Sequence, residues 1–259
     1  MRRLWNSFKI AFSMYSKIPV PQSEWSKENM KYALVFFPWI GLVIGVLSYG
    51  WVQMWDVFDR IQVSLSEPFK TIVLLLIPVI VTGGIHLDGL LDTADARSCW
   101  QEKERRLEIL KDSHAGAFAI ITCVIYFLFY YGIYTMVNKQ NILLIALGFV
   151  LSRTFSGLSI VCFPKAKGTG LAAMFSDGAH KRNVKNIMIV YIAVLAVCMI
   201  YVGGISGVLT FAAAVLMFGY YYRMSKQVFG GITGDLAGYF LQMCELVIAL
   251  AATITTVVF

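Results

Sequence analysis

The segment GGIHLDGLLDTAD, residues 83–95, carries the densest chemistry in the chain. Asp88, Asp92 and Asp95 stand at i, i+4 and i+7. At about 100° per residue this puts three carboxylates within a ~60° arc of one helix face. Carboxylates about 6 Å apart repel by about 3 kcal/mol per pair at an effective dielectric near 20. Either protonation or a divalent cation must offset that repulsion. An all-oxygen donor set with no cysteine on the face favours Mg²⁺ or Mn²⁺ over zinc.

A second polar cluster follows in RRLEILKDSHAG, with Arg105, Arg106, Lys111, Asp112, Ser113 and His114. Basic side chains beside a metal-type carboxylate cluster suit a phosphate substrate. Arg153 lies mid-span, where an arginine is costly and usually lines a cavity. The loop FPKAKGTGLA offers Lys165, Lys167 and Gly168, a Gly-x-Gly with lysines that suits phosphate oxygens. Asp235 opens the last helix, and Glu245 lies deeper in the same apolar run.

The elements that position these groups are membrane helices. Of 259 residues, 58% are apolar and 14% charged, against about 45–50% and 25% in a soluble domain. This excludes a disordered chain, a disulfide scaffold and a soluble α/β enzyme. The net charge of +7 reads as Lys and Arg retained on one side of a membrane rather than as nucleic-acid binding. The five cysteines form no CxxC pair, and the N-terminus shows no signal peptide.

Seven apolar segments stand out, at 34–55, 71–87, 117–137, 141–162, 187–203, 205–222 and 237–259, with the second and fifth short. Their continuous apolarity excludes a transmembrane β-barrel. With a cytoplasmic N-terminus, segments 1–33, 92–116, 163–186 and 223–235 carry eighteen Lys or Arg, and the opposite loops carry three. That bias places the polar chemistry in the cytoplasm. Residues 1–33 begin with an amphipathic helix suited to the membrane interface, ended by Pro19-Val20-Pro21.

Three aspartates inside a span would cost about 7–10 kcal/mol, and the nine Leu, Ile and Val residues from Ile72 to Val81 return about 3–5. The carboxylates therefore belong at the mouth of the span, in a wet cavity. Gly83-Gly84 marks a break, and residues 83–95 are expected as a broken or re-entrant helix lining that cavity. The expected fold is all-α, a polytopic integral membrane protein of about seven helices forming one catalytic domain over residues 1–259.

At this point the residues resemble a known family. GGIHLDGLLDTAD followed by RRLEILKDSHAGAFA is similar to the signature of the cobalamin synthases, the adenosylcobinamide-GDP ribazoletransferases. YSKIPVP, Ser152-Arg153, KGTGLA and GGITGDLAGYFLQMCEL are similar to further blocks of that family in the same order. The chain departs from it at Ala96, where glycine is expected, and at His114, where arginine is common.

The resemblance implies an enzyme that joins adenosylcobinamide-GDP to α-ribazole or its 5′-phosphate and releases GMP. It also implies Mg²⁺ and a bacterial or archaeal cytoplasmic membrane. On that basis Asp88, Asp92 and Asp95 are assigned to metal, and Asp88, Asp92, Asp112 and Lys111 to catalysis. His86, Arg105, Ser113, Arg153, Lys165, Lys167, Gly168, Asp235 and Glu245 are assigned to substrate. The two substrates and the lipid bilayer are the expected partners. Association with other cobalamin-pathway enzymes or with further copies of the chain stays open.

A CDP-alcohol phosphotransferase is the nearest rival, but its downstream acidic residues are missing after Gly116. A prenyltransferase would need a second aspartate-rich helix. A transporter would also show broken spans, Arg153 and Glu245, but would move labelled substrate across a vesicle membrane without making GMP. A purely structural membrane protein would not need the clustered acids.

Overall fold

In the computed structural model, residues 2–112 and 114–258 are described. Ser113, assigned above to substrate, lies outside them. The chain is a polytopic helical membrane protein. Its elements are α1 (Arg2–Tyr15), α2 (Lys27–Met30), α3 (Phe37–Arg60), α4 (Glu67–Thr82), α5 (Ile85–Ser98) and α6 (Lys103–Ile109). They continue as α7 (Ala117–Tyr134), α8 (Ile142–Cys162), α9 (Leu171–Gly178), α10 (Lys181–Met224) and α11 (Gly234–Val258). Five helical stretches are long and apolar enough to cross a membrane, and the bent pair α4–α5 makes a sixth.

The seventh span is hidden in α10. Gly204, at φ 52° and ψ −124°, interrupts it. A Cβ on Gly207 would collide with the Met199 carbonyl, eight residues earlier. A straight helix would separate those positions by about 12 Å. The chain therefore turns back at Gly204, and α10 is two antiparallel arms, 181–203 and 205–224. The first arm is longer than the sequence reading gave it.

α8 forms the centre of the bundle and is buried along most of its length, packed between α3, α10 and α11. The arms of α10 and one side of α7 carry exposed Val190, Val197, Leu216, Val124 and Leu128, as lipid-facing helices do.

α4 starts on a Ser66 cap with Pro68 in its first turn. It ends at Gly83 and Gly84, whose φ of 65° and 80° lie in the left-handed region that favours glycine. α5 then leaves at 93° to α4. The Lys17 amide donates to the Val81 carbonyl at 2.8 Å, tying the end of α1 to this corner.

α5 lies across the starts of α7 and α11, at the end of the bundle rather than within a span. It approaches α11 closely. A Cβ on Gly89 would stand 2.5 Å from the Asp235 carbonyl oxygen, and one on Gly238 would stand 3.1 Å from that of His86. Small residues at a crossing let two helix backbones meet in this way.

The segments read as loops are partly helical. α6 occupies 103–109 and α9 occupies 171–178, and a π-helical turn, Ser225–Phe229, closes the second arm of α10. Two of the loops are joined: the Ala166 amide donates to Ile232 O at 3.0 Å and the Ile232 amide to Pro164 O at 2.8 Å. This clips the lysine-bearing loop to the turn that begins α11.

Candidate active site

α5 delivers its carboxylates to three different environments. Asp88 is exposed and lines a cavity of about 240 Å³ with His86 and Asp235. Asp92 is half-buried. Burial, and then the charges of Asp88, Asp235 and Asp95, push its carboxyl up to about 7. That places Asp92 in one electrostatic cluster with the aspartate that opens α11. Asp95 turns to α7, where its Oδ2 accepts the Gly116 amide at 2.6 Å and its Oδ1 the Ala119 amide at 2.8 Å.

Asp235 stands where two cavities meet. The first cavity lies among α1, α5, α8 and α11, and is walled by Tyr15, Phe37, His86 and Ser156. The second, about 330 Å³, is lined by Lys111, Lys167, Thr169 and Gly170. Leu171, Ala172, Gly234 and Asp235 belong to both. Thr233 fixes the junction: the Leu236 amide donates to its hydroxyl at 3.2 Å, capping the start of α11.

Lys167 donates to the Leu107 carbonyl at 3.0 Å. Burial, and then the neighbouring Lys111, lower its pKa from the ordinary lysine value. Two ammonium groups lining one cavity suit an oxyanion such as a diphosphate.

Other assigned residues lie elsewhere. Arg105 pairs with Glu108 at 2.8 Å on an exposed face of α6. Asp112 is exposed and accepts from the His114 amide at 3.0 Å, which lowers its pKa. Lys165 pairs with Asp177 at 2.7 Å. Gly168 is exposed and lines neither cavity, whereas its neighbours Thr169 and Gly170 line the second.

Arg153 and Glu245 form a fully buried pair between α8 and α11, with Nη1 2.6 Å from Oε1. Ser152 donates to the same Glu245 oxygen at 3.1 Å. Sequence reasoning missed Tyr15, Phe37 and Ser156. Tyr15 at least lies in the YSKIPVP block singled out from the sequence.

Among the described residues no three His, Cys, Asp or Glu side chains converge as a ready-made metal cage. The donor chemistry nevertheless fits Mg²⁺, which is commonly held by one or two carboxylates together with substrate phosphates and water. Asp88 and Asp92 supply such a pair, while Asp95 is engaged by the two α7 amides.

Comparison with known proteins identifies the family. The sequence model of the cobalamin-5-phosphate synthase family matches residues 7–253. An adenosylcobinamide-GDP ribazoletransferase of Lachnoclostridium phytofermentans is 47% identical over 249 residues, 96% of this chain and 94% of that protein. Proteins of the same name from Clostridium perfringens strain SM101 and Geobacillus sp. strain WCH70 are 32% and 30% identical. Those matches cover 95% of this chain in each case, and 96% and 94% of the relatives. No solved structure matches. The chain belongs to the cobalamin-5-phosphate synthase family.

Proposed function

We propose that the chain is an adenosylcobinamide-GDP ribazoletransferase, joining adenosylcobinamide-GDP to α-ribazole or its 5′-phosphate and releasing GMP. Besides the family, the observation that supports this is the pair of cavities meeting at Asp235, one lysine-lined and one aromatic. A two-substrate transfer needs such a junction.

The diphosphate occupies the second cavity, its oxygens held by Lys111, Lys167 and the 169–170 backbone. Asp88 and Asp92 would hold Mg²⁺, which would neutralise charge on the diphosphate and the departing GMP. Asp235, on the wall common to both cavities, accepts the proton of the attacking ribose hydroxyl. An oxygen–phosphorus bond forms at the phosphorus joined to cobinamide. The bond from that phosphorus to the GMP oxygen breaks. The eighteen Lys and Arg at this end of the bundle support a cytoplasmic site in a bacterial inner membrane.

The test is GMP release by detergent-purified protein given adenosylcobinamide-GDP, α-ribazole and Mg²⁺. GMP is expected only when all three are present and EDTA is absent. No GMP from folded protein overturns the transferase reading, and undiminished GMP in EDTA overturns the metal.

A further inference from the structure

The first cavity is lined by residues whose buried polar atoms have no hydrogen-bond partner among the described residues. His86 Nε2 and Ser156 Oγ belong to cavity-lining residues only 4% and 1% exposed, and neither atom has a hydrogen-bond partner among the described residues. One turn back along α8 from Ser156, Arg153 leaves Nε and Nη2 equally unpartnered. Only its Nη1 is taken, by Glu245, the Phe149 carbonyl and the Ser152 hydroxyl. Buried polar atoms are ordinarily paired. Two such atoms on residues that line one cavity, His86 Nε2 and Ser156 Oγ, point to a ligand that pairs with them.

The walls state what kind of ligand. Tyr15 and Phe37 meet with ring centroids 4.4 Å apart. Both pack on the His86 imidazole, Tyr15 near-parallel at 6.3 Å and Phe37 edge-on at 5.9 Å. Met14, Ile160 and Leu241 complete an apolar surround. Among the described residues the charged groups on the walls are Asp88 and Asp235, both acidic. The lysines that suit a phosphate, Lys111 and Lys167, line the second cavity and not this one. About 240 Å³ admits a bicyclic ring with part of a sugar and excludes a corrin macrocycle.

We infer that the first cavity is the acceptor subsite and takes an uncharged, flat nitrogen heterocycle, the benzimidazole end of the acceptor nucleoside. The ring lies against Tyr15 and Phe37. Its free ring nitrogen accepts a hydrogen bond at the floor, from Ser156 or His86. The ribose then points to Asp235, where the diphosphate is held. This assignment rests on the transferase reading above.

The test varies both substrates in initial-rate measurements of GMP release, with free benzimidazole as the probe. Benzimidazole is expected to compete with α-ribazole and not with adenosylcobinamide-GDP. Ser156→Ala is expected to raise the acceptor KM about tenfold, and Ser156→Leu, which fills the floor, by more. The donor KM is expected to stay within about twofold in both.

Competition against the donor, or variants that move the donor KM and leave the acceptor KM alone, overturns the subsite while the transferase reading stands. Calorimetric titration of benzimidazole into wild-type protein needs no turnover. Heat that is saturable in wild type and lost in Ser156→Leu supports the subsite even if no GMP is made. Should Ser156→Leu not fold, the wild-type inhibition pattern and Ser156→Ala decide the question.

Discussion

Asp95 caps a helix other than its own: from α5 it accepts both the Gly116 and the Ala119 amides at the start of α7, at 2.6 and 2.8 Å. A carboxylate on these first-turn donors also meets the positive end of the α7 dipole. Asp95→Ala should therefore destabilise the fold by about 1–3 kcal/mol, read as a fall in the denaturation midpoint in detergent. Asp88→Ala, which removes an exposed side chain, should leave the midpoint nearly unchanged. If the two variants unfold alike, the cap is not what Asp95 contributes.

The Arg153–Glu245 pair predicts an asymmetry between single and double variants. Removing one partner strands a buried charge, at a cost of about 3–5 kcal/mol. Glu245→Leu alone should unfold readily, and Arg153→Met with Glu245→Leu should recover most of the loss. Equal stability of the single and double variants would show that the two charges do not depend on each other.

Gly89 sets the spacing between α5 and α11. Gly89→Val must displace the Asp235 backbone, with an overpacking cost of about 1–3 kcal/mol. Because that displacement separates Asp92 from Asp235, turnover should fall further than stability does. Gly132→Ala has nothing within 4 Å of the new methyl and serves as the control. Its midpoint and activity should match wild type.

Lys167 predicts a pH dependence. Its pKa is lowered, by burial first and Lys111 second. It therefore loses its charge at a lower pH than the ordinary lysine value of about 10.4. The folded protein holds the phosphate-binding form below that lowered pKa and loses it as pH rises through it. The donor KM should rise on the alkaline side, and Lys111→Gln should move the rise to higher pH. Arg105→Ala and Lys165→Ala, whose partners are exposed carboxylates, should leave the donor KM within about twofold.

The bundle was legible because its signals are local. Apolar runs mark the spans, paired glycines mark the α4–α5 break, and Gly204 marks the turn in α10. The carboxylate face of α5 follows from helical spacing. The acceptor cavity was hidden because Tyr15, Phe37, His86 and Ser156 come from four distant stretches. In a chain this rich in apolar residues, a tyrosine or serine in a span resembles ordinary packing. Arg105 and Lys165 show what spacing alone leaves out. Their basic character suggested phosphate, while Glu108 and Asp177 nearby already neutralise them.

Only two residues separate α4 from α5, so the height of the carboxylates above the bilayer is geared to a single short span. Sixteen residues rise about 24 Å, less than a hydrocarbon core of about 30 Å. A thicker membrane has little slack to take up before it tilts α4 or thins around it, and either response swings α5 against α11. The enzyme thereby becomes a gauge of its own lipid environment, and turnover in vesicles should fall as acyl chains lengthen.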